Sequence, residues 1–200
     1  MAVLHKKMKR HTTQVKADGF TAQFFQMCWP IVGKEVVDDV IHFFTTNDLL
    51  PTFNFTIVVL VPKCSNLSYI KDFCPIFCCT VVYKCITKIL ANRIKKYLPA
   101  VIGKSKSSFI QGRSITDNIF MARELVRGYV RYSISSRCAI KIDLQKAFDS
   151  LNWKFLLKVL GILKFPNIFI NWIKRCITSP WFSLSINGGL VGYFRGKKRN

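Results

Sequence analysis

Ten carboxylates in a chain of 200 residues can be surveyed one by one, and Asp143 stands apart from the rest. It lies near the end of the run Cys138-Ala-Ile-Lys-Ile-Asp-Leu144, in which Ile140, Ile142 and Leu144 alternate with Ala139, Lys141 and Asp143. Strict period-two alternation predicts a half-buried strand with Asp143 on the face opposite the apolar residues. An acid at a strand end beside a helix can ligate a metal or serve as a general base. It can equally pair with Lys141 or Lys146 at a sheet edge. Asp149, followed by Ser150 and Asn152, reads as a helix N-cap. The cations are more telling. Lys and Arg number 31 against 10 Asp and Glu, a net charge of +21, and they interleave with aromatics along the whole chain. That pattern suits a polyanion, nucleic acid before any other. The eight cysteines (28, 64, 74, 78, 79, 85, 138 and 176) contain no Cys-x-x-Cys pair, and the three histidines (5, 11 and 42) are scattered. They read as reduced, buried small hydrophobes rather than as a zinc site.

These groups must be positioned by a core, and the composition can supply one. Hydrophobic residues make 50% of the chain and charged residues 20%, which excludes disorder. The longest strongly apolar run, Ile57 to Val61, is far shorter than the ~20 residues of a membrane helix, so no membrane partner is expected. Residues 1–15 form a basic tail without the apolar region of a signal peptide. Its segment His5-Lys6-Lys7-Met8-Lys9-Arg10 reads as a nuclear address or as a solvated end, and in either case as part of an intracellular, unsecreted protein.

Along the chain, Phe20, Phe24, Met27 and Cys28 recur at helical spacing, with Pro30 as the stop. Val36, Val37, Val40, Ile41 and Phe44 form a second helical stripe. Phe55 to Val61 is a buried-strand run closed by Pro62-Lys63. A helix from about Val82 to Leu98 sets Val82, Ile86, Ile89, Leu90, Ile94 and Leu98 against Lys84, Lys88 and Lys95, and Pro99 should stop it. Ser114-Ile-Thr-Asp117 is a capping box for a helix through Tyr129. After the 138–144 strand come a helix with Trp153, Leu156, Leu157 and Leu160 inward and another over Ile168 to Ile177. Phe182, Leu184 and Ile186, the turn Asn187-Gly188, and Leu190 to Phe194 make a hairpin. The whole is an α+β pattern.

One family fits these segments in order. Lys141-Ile-Asp143-Leu-Gln-Lys-Ala-Phe148-Asp149-Ser-Leu-Asn-Trp153 resembles the first catalytic motif of reverse transcriptases from LINE-type (non-LTR) retrotransposons, the plant variety above all. Asp18-Gly19-Phe20 resembles the family's upstream Gly-Pro-Asp-Gly-Phe element, and Val59-Leu-Val-Pro-Lys63 its Ile-Pro-Lys finger strand. The stretch from Phe73-Cys74-Pro75-Ile76 through Tyr83-Lys84 to Leu90-Ala-Asn-Arg93 resembles its Arg-Pro-Ile segment and following helix. Phe109-Ile-Gln-Gly112-Arg113-Ser and Thr116-Asp117-Asn118 resemble its Gly-Arg-Ser motif, and Gly192-Tyr193-Phe194 precedes the place of its Arg-Gln-Gly-Asp-Pro. The likeness covers roughly residues 16–196, nearly the whole chain. It implies an incomplete reverse transcriptase domain, with fingers over about 16–137 and a partial palm with a truncated sheet over about 138–200.

The resemblance also implies roles. Asp143 and the Leu144 carbonyl would ligate catalytic Mg2+. Phe148 would exclude a ribose 2′-hydroxyl from the nucleotide site, its alternative being a core residue of the next helix. Lys63 would meet the incoming triphosphate. Lys84, Lys88 and Arg113 would line the path of an RNA template and DNA primer through backbone contacts, or else remain solvated. Three departures bear on activity. The family's Arg before Pro-Ile is Cys74, its Gln before the Phe of the Gly-Arg-Ser motif is Lys106, and no Asp or Glu follows Asp149. Two-metal phosphoryl transfer needs several carboxylates around ions ~4 Å apart. The chain by itself is therefore expected to be inactive as an RNA-directed DNA polymerase. The alternatives are a basic, non-specific nucleic-acid-binding module and the unstable product of a decayed retroelement.

Overall fold

The β-branched and aromatic run expected to form a strand does so, as β1 (Phe55–Pro62), and the sheet is built around it. The computed structural model describes residues 19–63, 65–66, 68–108, 110–127, 138, 140–143 and 150–196. Before β1 come helices α1 (Ala22–Met27) and α2 (Trp29–Thr46). After it come a 3-10 turn (Ile70–Asp72), β2 (Phe73–Cys79), α3 (Val81–Val101), α4 (Ile115–Val126), α5 (Trp153–Ile162), α6 (Asn167–Thr178), β3 (Trp181–Ile186) and β4 (Gly189–Arg195). This is the α+β class expected. The chain divides into two compact units, Met1–Ile89 with Asn152–Asn200, and Leu90–Leu151.

In the first unit the sheet order is β2-β1-β3-β4. β1 pairs antiparallel with β2 (Val58↔Phe77) and parallel with β3 (Val58↔Leu184), and β3 pairs antiparallel with β4. A parallel neighbour requires a long crossover, and the chain between β2 and β3 supplies it. Buried polar bonds pin the start of that parallel pair. Asn54, 2% exposed, donates from Nδ2 to Ser179 Oγ at 2.7 Å, and its carbonyl accepts from the Trp181 N–H at 2.9 Å. Thr80 Oγ1 donates to the Phe53 carbonyl at 2.6 Å and accepts from the Tyr83 N–H at 3.3 Å. Leaving one such buried group unpaired costs about 1–3 kcal/mol. The core beside the sheet is made by Val36, Val40 and Phe43 of α2, Val82 and Ile86 of α3, and Phe169 and Ile173 of α6. The Phe44 and Trp172 rings meet edge-on at 4.9 Å. Asp48, just after α2, pairs with Arg175 of α6 at 2.6 Å.

Local chemistry revises several expectations. Pro30 does not end α1. It opens α2 at one of that helix's first two positions, where its missing N–H would be unpaired anyway. Phe43 rather than Phe44 is the most buried residue of the α2 stripe, 1% exposed. Pro99 lies within α3, which runs on to Val101. So near the helix end it removes one bond, while Ile102 N–H still donates to the Leu98 carbonyl at 3.0 Å. α4 is capped by Ser114, whose hydroxyl accepts from the Thr116 N–H at 3.2 Å, and α5 by Asn152, which accepts from Phe155 N–H at 3.1 Å. The larger correction concerns the run around Asp143. Residues 140–143 belong to no strand, and Ile140 and Ile142 are each 79% exposed. Alternation marks a segment that can be half-buried; it becomes a strand only where a neighbouring backbone completes its ladder. No described strand pairs with these residues. No helix among the described residues is long and apolar enough to cross a membrane.

Candidate functional site

The tip of the β1–β2 hairpin is built to hold a lysine. The Lys63 N–H donates to the Asp72 carbonyl at 2.9 Å, extending the ladder one step beyond Pro62↔Phe73. Its Nζ donates to the Lys71 carbonyl at 3.0 Å, which leaves two ammonium protons for an anion. The intervening loop is folded by Asp72, whose Oδ2 accepts from the Ser68 N–H at 3.1 Å and the Tyr69 N–H at 2.9 Å. Lys71 Nζ sits 4.8 Å over the Tyr69 ring, a cation–π contact that adds about 0.5–1 kcal/mol when exposed. Cys74 is exposed and pairs with Val61, so in an alternating ladder it shares a face with Lys63. A thiol there offers one weak donor in place of a five-donor guanidinium fork.

Lys84 and Lys88 lie one turn apart on α3, on the side away from buried Val82, Ile86 and Leu90. The helix beneath them is held by Tyr83, whose Oη donates to the Cys176 carbonyl of α6 at 3.1 Å. Burial, with smaller contributions from the Cys176 and Cys79 thiols, raises the Tyr83 pKa well above the ordinary phenol value. Sequence pattern alone gave Tyr83, Asn54 and Ser179 no role. Asn54 at least stands between two phenylalanines, Phe53 and Phe55, but such a pattern cannot say which partner a polar residue will find.

Arg113 and Asp143 belong to the second unit. Arg113 Nη1 donates to the carbonyls of Gly103 and Lys106, both at 2.6 Å. Its Nη2 donates to those of Pro99 at 3.2 Å and Ile102 at 2.8 Å. The guanidinium thus closes the end of α3 from inside. Asp143 is exposed. Leu144, Phe148 and Asp149, expected beside it, lie outside the described residues. Among the described residues no group of three or more His, Cys, Asp or Glu side chains could hold a metal ion. One carboxylate does not fit the ligand set of a two-ion site. Lys63, Lys84 and Lys88 are all in the first unit.

Two comparisons bear on this arrangement. The family described as reverse transcriptase (RNA-dependent DNA polymerase) matches residues 61–199, from the end of β1 past β4. An uncharacterised 149 kDa protein of transposon TX1 from Xenopus laevis is 28% identical over 185 residues, covering 92% of this chain. The chain spans 14% of that relative's length.

Proposed function

The chain belongs to the reverse transcriptase (RNA-dependent DNA polymerase) family, and from that premise we propose that it is the fingers and first palm portion of a LINE-type retrotransposon polymerase. The observation that carries the reading is the hairpin tip at the start of the matched span, where Lys63 is held by the Lys71 carbonyl with protons to spare. In this reading Lys63 meets the triphosphate of the incoming nucleotide, and Phe148 guards against the 2′-hydroxyl. Lys84 and Lys88 contact the backbone of an RNA template or DNA primer, contacts that fix position without reading sequence. Asp143 and the Leu144 carbonyl are this chain's contribution to a Mg2+ site that the chain alone does not complete. The protein works inside the cell, with access to the nucleus, and not at a membrane.

The absence of any acid after Asp149 favours a second reading for residues 1–200 taken alone, a basic binder of nucleic acid with no chemistry of its own. Salt-dependent binding, with Mg2+-dependent primer extension once the downstream segment of an active relative is joined to the chain, identifies the polymerase fragment. Binding with no extension even in the joined chain identifies the binder. A far-UV dichroism signal that melts without cooperativity would identify an unfolded relic and overturn both.

A further inference from the structure

The four Nη protons of Arg113 all point at backbone carbonyls, those of Pro99, Ile102, Gly103 and Lys106. A phosphate is gripped by two parallel donors of a guanidinium, and a fork engaged in this way has none to offer in parallel. The same four bonds fold the loop after α3. Gly103 to Lys106 form a turn in which the Lys106 N–H donates to the Gly103 carbonyl at 3.2 Å, and Lys104 and Lys106 are both exposed on it. Asn118 Nδ2 of α4 donates to Ser107 Oγ at 2.6 Å, and Ser107 and Ile110 are buried, so the loop is fixed beyond the turn as well. Without a cation the exposed carbonyls at the end of α3 would present partial negative charge and repel an anion. Arg113 offsets that charge, and the loop it folds carries the exposed Lys104 and Lys106.

We propose that Lys104 and Lys106 contact the phosphate backbone of a nucleic acid, and that Arg113 is a positioning residue that folds the loop carrying them and makes no phosphate contact itself. The proposal rests on the nucleic-acid reading above and assigns part of that surface. It displaces Arg113 from the template path. The test is fluorescence anisotropy of the whole chain on a single-stranded oligouridylate across a salt series, together with amide hydrogen exchange at Ile102 and Lys106. The double variant Lys104→Gln/Lys106→Gln should melt like the wild type and lose about 1.4 from the slope of log affinity against log salt, ~0.7 for each phosphate of a single strand. Arg113→Lys keeps the charge but not the planar fork. It should exchange faster at Ile102 and Lys106 and lose slope with them. Wild-type binding indifferent to salt would sink the nucleic-acid reading itself. Salt-dependent binding with an unchanged slope in the double variant, or an Arg113→Lys chain with full protection and full slope, would overturn this proposal alone.

Discussion

Cys176 is 3% exposed, and burial pushes its thiol up to about 12 from an ordinary 9.0. Tyr83, which donates to the Cys176 carbonyl, is raised in the same direction. In the unfolded chain each group releases its proton at its ordinary value, whereas the folded chain still holds it. The stability tied to these protons is therefore complete below about pH 9 and is lost as pH rises toward 12. The melting temperature should stay level at neutral pH and decline above that threshold, and Cys176→Ala should soften the first part of the decline. An alkaline rise in melting temperature would contradict the burial argument. Removing only the hydroxyl, by Tyr83→Phe, leaves the Cys176 carbonyl short of a donor and should cost about 1 kcal/mol in urea unfolding. Arg113 shows the limit of reading such roles from sequence. Its neighbours Gly112 and Ser114 mark a motif, but only three-dimensional contacts distinguish a cation facing solvent from one closing a helix.

Elements were most legible where one local signal decided them. Asn187 and Gly188 have φ of 50° and 80°, the left-handed pair that a two-residue hairpin needs, and the Asn-Gly dipeptide announces it. At Gly188 a Cβ would meet nothing within 4 Å, so Gly188→Ala tests backbone strain without a clash. It should destabilise the protein by about 1–2 kcal/mol, whereas Asn187→Gly should be near neutral, both read from denaturant midpoints at constant slope. β2 was not legible because Pro75 and three cysteines weaken its pattern. Proline is tolerated there because β2 is the sheet's edge, a fact of topology. The segment ending at Asp143 failed in the opposite way. Its alternation was clear, but alternation reports what a strand could bury and supplies no partner to complete the ladder.

For the whole molecule, charge and acid count point the same way. A net +21 attracts nucleic acid, and a binder that makes about six to ten phosphate contacts loses roughly 10³–10⁵-fold in affinity between about 50 and 200 mM salt, a fall of that order being expected here. The same excess of cations opposes the gathering of divalent ions, which only clustered carboxylates can offset. Asp143 offers one carboxylate, no described cluster joins it, and no acid follows Asp149. Cys74 stands where the resembling family has an arginine, and one charged hydrogen-bond partner is worth ~1.5–3 kcal/mol, about tenfold or more in a binding constant. Residues 1–200 alone should therefore bind a primed RNA template at low salt yet give no primer extension with Mg2+ or Mn2+. Joined to the downstream segment of an active relative, the chain should gain weak extension. Cys74→Arg should raise that extension about tenfold or more, and Asp143→Ala should abolish it. Extension by the unjoined chain that disappears in Asp143→Ala would refute the acid count and require carboxylates from another source, a second copy of the chain being the first to test by measuring rate against protein concentration.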